Sequence, residues 1–125
     1  MSSETDILLV EDEANIAAAV EFILSRDGWQ IAHWPEGGEA MARVRELRPK
    51  LVILDVMLPT RSGLEILQAL RADPSLAKTP VLLLTARGTT GRTGIEPCAA
   101  DRVLAKPFDN AELRRIVADM LGLPR

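Results

Sequence analysis

The sequence predicts an α/β domain in which a parallel β-sheet carries helices on both of its faces. Short apolar runs recur along the chain, and the first three do not alternate with polar residues: 7–10, 51–54 and 81–84. Uninterrupted runs of this length are typical of parallel strands that are buried on both sides. Helical patterns separate the runs, and a strict alternation of strands and helices favours this architecture.

Two weaker strand candidates complete the predicted sheet. Residues 30–34 precede the turn signal PEGG at 35–38, and residues 103–104 form a short apolar pair near the end of the chain. The predicted order of elements is then β-α-β-α-β-α-β-?-β-α, in which the unassigned element follows the fourth strand. Alternation alone leaves the order of the strands within the sheet open.

The predicted helices have apolar stripes with start or stop signals. Apolar residues at 16, 20, 23 and 24 share a helical face that ends at 27–28, and those at 40, 44 and 47 end before Pro49. Ser62 and Glu65 have the spacing of a capping box and open a third helix. Asp109 and Glu112 repeat this spacing before the apolar stripe of the last helix.

The composition indicates a single globular domain covering residues 1–125. The formal net charge is −3, so we predict no direct binding of nucleic acid. The apolar runs are too short to span a bilayer, and the polar N-terminus lacks the features of a signal peptide. Cys98 is the one cysteine of the chain, which agrees with a reducing compartment. We therefore expect a cytoplasmic protein without a membrane segment.

Polar side chains follow four of the predicted strands. Glu11 and Asp12 follow the first strand, Asp55 the third, Thr85 the fourth and Lys106 the last. Ligands of open α/β sheets bind outside the carboxyl ends of the strands, where the strand order reverses. These side chains would converge there if the four strands are neighbours in the sheet.

The chemistry of this set indicates phosphoryl transfer. Three carboxylates repel one another and raise one another's pKa unless a cation lies among them. Mg2+ prefers oxygen ligands and uses one or two carboxylates together with phosphate oxygens. The hydroxyl of Thr85 and the ammonium of Lys106 could bind the remaining phosphoryl oxygens. Asp55 ends an apolar strand and is the natural nucleophile.

Four blocks of the sequence resemble the signature of response-regulator receiver domains, the phosphoacceptors of two-component signalling. The blocks occur in order and span nearly the whole chain: LLVEDE (8–13), LVILDVMLPTRSGLE (51–65), PVLLLTA (80–86) and RVLAKPF (102–108). The resemblance implies a flavodoxin-like, doubly wound, five-stranded parallel sheet with strand order 2-1-3-4-5.

The resemblance also implies a role for each candidate residue. Asp55 resembles the aspartate that accepts the phosphoryl group from a kinase histidine. Asp12 resembles the direct Mg2+ ligand, and Glu11 its acidic neighbour, often acting through water. Thr85 resembles the switch hydroxyl, and Lys106 the lysine that pairs with the phosphoryl group.

Further positions match the family around this site. The carbonyl of Met57 would be the backbone ligand of the metal. Pro59 and Gly63 match the turn after the phosphorylation site, and Ala86 matches a small residue that leaves the site open. Val103 departs from the pattern, because the family commonly has Tyr or Phe at that position of the last strand.

The segment 85–98, TARGTTGRTGIEPC, covers the place where the family usually has its fourth helix. Each of its glycines, at 88, 91 and 94, costs on the order of 1 kcal/mol inside a helix, and Pro97 ends whatever forms. We predict a fourth helix that is short or irregular. Ordering of this segment on phosphorylation is a hypothesis for the switch, since Val103 supplies no aromatic ring.

The predicted function is that of a phosphoacceptor switch and not of an enzyme that turns over other substrates. Its donor would be a histidine kinase or a histidine phosphotransfer protein, its downstream effector is unknown, and its state would be monomeric or weakly dimeric on phosphorylation. The polar start and the short tail favour a stand-alone regulator, with a receiver from a longer transcription factor as the alternative.

Two other classes fit the sequence less well. An aspartate-nucleophile phosphatase of the haloacid-dehalogenase type needs a second acidic residue where this chain has Met57. A P-loop protein needs the pattern GxxxxGK[ST], which does not occur in the chain.

Overall fold

A computed structural model describes residues 5–58, 62–86, 101–106 and 108–122. Its strands are β1 (Ile7–Val10), β2 (Ile31–Trp34), β3 (Leu51–Asp55), β4 (Val81–Ala86) and β5 (Arg102–Lys106). Its helices are α1 (Ala14–Arg26), α2 (Ala40–Leu47), α3 (Gly63–Ala72) and α4 (Asn110–Leu121).

The five strands form one parallel sheet in the order β2-β1-β3-β4-β5, which confirms the flavodoxin-like prediction. Ile7 of β1 pairs with Ile31 on one side and with Leu51 on the other. The chain therefore moves outward from β1 to β2 and then returns to the other side of β1 with β3. This reversal places a switch point at the carboxyl ends of β1 and β3.

The core has two layers, one on each face of the sheet. Ile7 and Leu9 of β1 belong to the layer under α1 and α4, whereas Leu8 and Val10 belong to the layer under α2 and α3. Successive residues of a strand point to opposite faces, so a strand covered on both sides needs apolar residues at every position. The predicted helices on both faces are confirmed.

Local signals set the ends of the helices. Ser62 precedes α3, and its hydroxyl accepts a hydrogen bond of 3.1 Å from the backbone N–H of Leu64. Gly28 follows α1 with φ of 95°, a conformation that favours glycine. Asp109 precedes α4 as predicted, but among the described residues its side chain makes no capping hydrogen bond. The spacing of Asp109 and Glu112 therefore marks the start of the helix without forming the predicted cap.

Some predictions fall outside the described residues. The segment 87–100 is one such stretch, so the prediction of a short or irregular fourth helix is not tested, nor are those for Pro59 and Cys98. Among the described helices, none has the length and apolar character that crossing a membrane requires.

Candidate functional site

The acidic candidates meet at the switch point of the sheet. Glu11, Asp12 and Asp55 each bring one carboxylate oxygen to a group whose members all lie within 4.8 Å of one another. Glu11 and Asp55 are buried, whereas Asp12 is exposed. They converge because β1 and β3 are paired neighbours that end at the same edge of the sheet.

Lys106 joins this group from the far edge strand. Its ammonium nitrogen lies 3.2 Å from Oδ1 of Asp55 and 3.3 Å from Oε1 of Glu11. Burial lowers the pKa of Lys106, but the charges of Asp55 and Glu11 act the other way and raise the pKa overall. Lys106 is therefore a fixed cation that faces two carboxylates.

Glu11 is the least satisfied member of the site. Its side chain is fully buried, and burial, together with the charge of Asp55, raises its pKa from 4.5 to about 7. Oε2 accepts a hydrogen bond of 3.1 Å from the backbone N–H of Glu13. Oε1 is buried and accepts no hydrogen bond from the described residues, although the Lys106 ammonium lies near it. A buried carboxylate oxygen without a donor is costly unless a cation compensates for it.

The loop after β3 orients Asp55. The backbone N–H of Met57 donates a hydrogen bond of 3.3 Å to Oδ1 of Asp55. Gly63 packs against the backbone of Asp55 so closely that a Cβ atom at this position would overlap the Asp55 carbonyl. The backbone N–H of Gly63 also donates to the carbonyl of Val56 at 2.9 Å. These contacts hold the first turn of α3 against the end of β3.

Thr85 lies at the same edge on β4 and is fully buried. The residue before it, Leu84, pairs with Asp55 across the sheet, and Thr85 itself pairs with Ala105 of β5. Thr85 therefore lies one residue beyond the rung of Asp55, beside the strand that carries Lys106.

An open cavity of about 760 Å³ lies over the acidic group. Asp12, Asp55 and Lys106 line it together with Met57, a residue that is 71% exposed. Ile16 and Ala19 of α1 and Phe108 also line it. The site is thus reachable from solvent, which a reaction with a second molecule requires.

No sequence pattern assigns His33 a role in this site, because the chain has no partner residue at metal or catalytic spacing from it. In the structure its Nε2 atom lies 2.7 Å from the carbonyl oxygen of Glu11. The signal lies in the pairing of β1 with β2, which sets Leu9 opposite His33. The residue types do not indicate which strands pair, so the contact between His33 and Glu11 can be identified only once the strand order is known.

Comparison with known proteins agrees with this geometry. The family model of the response regulator receiver domain matches residues 7–118. The DNA-binding response regulator MtrA of Mycobacterium tuberculosis is 39% identical over 109 residues, which cover 86% of this chain and 46% of MtrA. The chain thus spans about half the length of the curated relatives it matches.

Solved structures share the fold over nearly the whole chain. A putative response regulator from Chloroflexus aurantiacus has a TM-score of 0.86 at 30% identity, covering 95% of this chain and 98% of its own. The response regulator protein TrrA of Thermotoga maritima, in complex with Mg2+-BeF, has a TM-score of 0.82 at 32% identity, with coverages of 94% and 99%. The chain therefore belongs to the response regulator receiver domains of two-component signalling.

Proposed function

We propose that this receiver domain accepts a phosphoryl group on Asp55 from a phosphohistidine, with Mg2+ bound beside it. The phosphohistidine belongs to a histidine kinase or a histidine phosphotransfer protein. The observation that carries the proposal is the convergence of three carboxylates and Lys106 under an open cavity at the switch point.

The donor set fits Mg2+. Hard divalent cations take carboxylate, carbonyl and water oxygens, and the buried Oε1 of Glu11 has no described hydrogen-bond donor. Asp12 and Asp55 would hold the ion, Glu11 would support it directly or through water, and the carbonyl of Met57 would complete the protein ligands. When bound, Mg2+ supplies positive charge that neutralises the carboxylates and the phosphoryl oxygens.

The protein's own residues position the reaction. A carboxylate oxygen of Asp55 forms the new P–O bond while the P–N bond to the imidazole breaks, and the imidazole leaves with the electron pair and takes up a proton. Met57 N–H and the Lys106 ammonium both contact Oδ1 of Asp55 and so limit rotation of the carboxylate. Lys106 then pairs with a phosphoryl oxygen, because its ammonium already faces the point of attack.

Thr85 is the switch hydroxyl in this proposal. Its buried position beside the Asp55 rung supports movement of the hydroxyl toward a phosphoryl oxygen. Such a movement would pull on β4 and on the segment that follows it, and so transmit the modification to a downstream partner. The domain acts as a switch and its chemistry is limited to its own aspartate.

A phosphorylated receiver domain has two possible forms of output. MtrA is a DNA-binding response regulator about twice as long as this chain, which supports a receiver that controls an attached DNA-binding domain. A stand-alone regulator that signals to another protein is the other form. An immunoblot of the native protein separates them, because a band near 13.7 kDa supports the stand-alone form and one near twice that mass supports the attached form.

The phosphoacceptor role is tested by intact-mass measurement after incubation with Mg2+ and acetyl phosphate. We expect the wild type to gain one phosphoryl group and Asp55→Asn to gain none. Asp109→Asn is the matched control, because it removes an exposed carboxylate that precedes α4 and makes no described capping bond. Phosphorylation of Asp55→Asn, or steady release of phosphate from unrelated monoesters, would contradict the proposal.

A further inference from the structure

We infer that His33 is a positioning residue for the proposed metal site, because its imidazole holds the peptide group that joins Glu11 to Asp12. The inference rests on the proposed function, since it concerns the ligands of the same site. His33 lies on β2, the edge strand beside β1, and is half-buried.

The contact fixes the protonation of one ring nitrogen. Nε2 of His33 lies 2.7 Å from the carbonyl oxygen of Glu11, and a carbonyl oxygen can only accept. The Nε2 atom must therefore carry a proton and donate it. A short hydrogen bond from a half-buried ring, on a strand already paired with β1, gives this donor a fixed position.

The imidazole takes the place of a backbone hydrogen bond that is missing at the end of the β1–β2 ladder. The last backbone bond of the β1–β2 ladder runs from the N–H of Glu11 to the carbonyl of Trp34 at 3.1 Å. A regular parallel ladder would next bring the N–H of residue 36 to the carbonyl of Glu11. Strand β2 instead ends at Trp34, Pro35 follows, and no described backbone N–H donates to that carbonyl. His33 supplies the donor from its side chain.

The hydrogen bond from His33 to the carbonyl of Glu11 restrains both Glu11 and Asp12, because a peptide group is planar. The carbonyl of Glu11 belongs to the peptide plane that also contains the nitrogen and Cα of Asp12. With the N–H of Glu11 held by Trp34 and its carbonyl held by His33, the backbone on both sides of the Glu11 Cα is restrained. The directions of the Glu11 and Asp12 side chains, and hence their convergence with Asp55, follow from that restraint.

The test compares the Mg2+ affinity of three proteins by titration calorimetry. His33→Leu removes the donor, and we expect its dissociation constant for Mg2+ to rise about tenfold, as is typical when an outer partner of a metal ligand is lost. His33→Gln keeps an amide N–H near the position of Nε2, and we expect it to recover most of the affinity. A role in packing alone would not distinguish a donor from a non-donor in this way.

A control variant separates a local effect from general loosening. Arg71→Gln removes hydrogen bonds to the carbonyls of Ala77 and Thr79, at the opposite edge of the sheet. Its unfolding free energy is measured beside that of His33→Leu, and we expect its Mg2+ affinity to stay within about twofold of wild type. An equal loss of affinity in the control and in His33→Leu would overturn the inference.

A measurement without metal completes the test. Nitrogen-15 chemical shifts of the His33 ring in the metal-free protein should show a proton on Nε2, and a bare Nε2 would overturn the inference. A wild type that binds no Mg2+ would contradict the proposed function itself. Binding by wild type with unchanged affinity in His33→Leu would contradict the role of His33 and leave the proposed function standing.

Discussion

Strand β1 has a fully buried carboxylate just beyond each of its ends, and the two differ in how they are satisfied. Asp6, at the amino end, accepts a hydrogen bond of 2.8 Å from the backbone N–H of Gln30 and has the Lys50 ammonium 3.5 Å from its other oxygen. Glu11, at the carboxyl end, has the Lys106 ammonium 3.3 Å from Oε1 without a described hydrogen bond to that oxygen, and two further carboxylates lie beside it.

The difference distinguishes an acid with a structural setting from an acid in the proposed metal site. The carbonyl of Asp6 also accepts bonds from the N–H groups of Lys50 and Leu51, so this residue closes the amino edge of the sheet with partners from the protein alone. Glu11 shares one nearby ammonium, that of Lys106, with Asp55, and burial together with the charge of Asp55 still raises the pKa of its carboxyl. Burial of a carboxylate therefore does not by itself indicate its role; the hydrogen-bond donors and charges around it must also be known.

The largest expected effect is the pH dependence that Glu11 gives to the metal-free protein. The folded protein holds the Glu11 proton up to about pH 7, whereas the ordinary pKa is 4.5. Protonation thus stabilises the fold fully below about pH 4.5, and this contribution is lost as the pH rises through about 7. The shift corresponds to on the order of 3 kcal/mol of unfolding free energy.

Urea unfolding of the wild type and of Glu11→Gln, each without metal from pH 4 to 8, measures this contribution. We expect the variant to become more stable relative to wild type across that window, because the amide cannot ionise. Saturating Mg2+ should restore the wild type at high pH. Parallel stability curves for the two proteins would show that Glu11 is as well satisfied as Asp6.

The next effect is the loss of the structural acid. Asp6→Ala leaves the backbone N–H of Gln30 without its carboxylate acceptor, and we expect the unfolding free energy to fall by about 2 kcal/mol. Mg2+ affinity, measured by calorimetry on the folded variant, should stay near that of wild type because Asp6 lies at the amino end of β1, opposite the proposed metal site. A loss of affinity without a loss of stability would reverse the roles of the two acids.

The smallest expected effects come from the lysines that face the two acids. Lys106→Met removes the cation beside Glu11 and Asp55, and at pH 8 without metal we expect a loss of about 1 to 2 kcal/mol in unfolding free energy. The side chain of Lys50 is 53% exposed, so we expect Lys50→Met to change the unfolding free energy by no more than about 0.5 kcal/mol.

Mg2+ sharpens this last comparison. Because Mg2+ bound at the proposed site would neutralise the same carboxylates, it should narrow the stability difference between Lys106→Met and wild type. It should leave the difference between Lys50→Met and wild type unchanged. Thermal unfolding with and without Mg2+ measures both. An equal response of the two variants to Mg2+ would remove the distinction between the edges.

Much of the fold was predictable because its signals are local. The apolar runs of β1, β3 and β4 do not alternate, and the structure covers both faces of the sheet with core layers. Ser62 was predicted to open α3, and its hydroxyl does accept the capping bond. Asp109 has the same spacing signal without the bond, because spacing places a residue at a helix start and does not set its side-chain rotamer.

The site was predictable in its composition and only partly in its contacts. Glu11, Asp12, Asp55 and Lys106 were expected to converge on condition that their strands are neighbours, and the strand order meets that condition. The hydrogen bond from Met57 N–H to Asp55 depends on a loop conformation that has no pattern in the residue types. The roles of these four residues, of Thr85 and of the Met57 carbonyl stay predictions.

The sequence by itself determined the alternation of strands and helices and the chemistry at the strand ends, because apolar period and residue type act over a few neighbouring positions. The tertiary structure alone decided which of two buried acids lies among further carboxylates, and that His33 contacts the carbonyl of Glu11. Those facts depend on pairs such as His33 and Glu11, which are 22 residues apart and meet only when β2 pairs with β1. Long-range pairing is set by the packing of the whole sheet, and no local pattern encodes it.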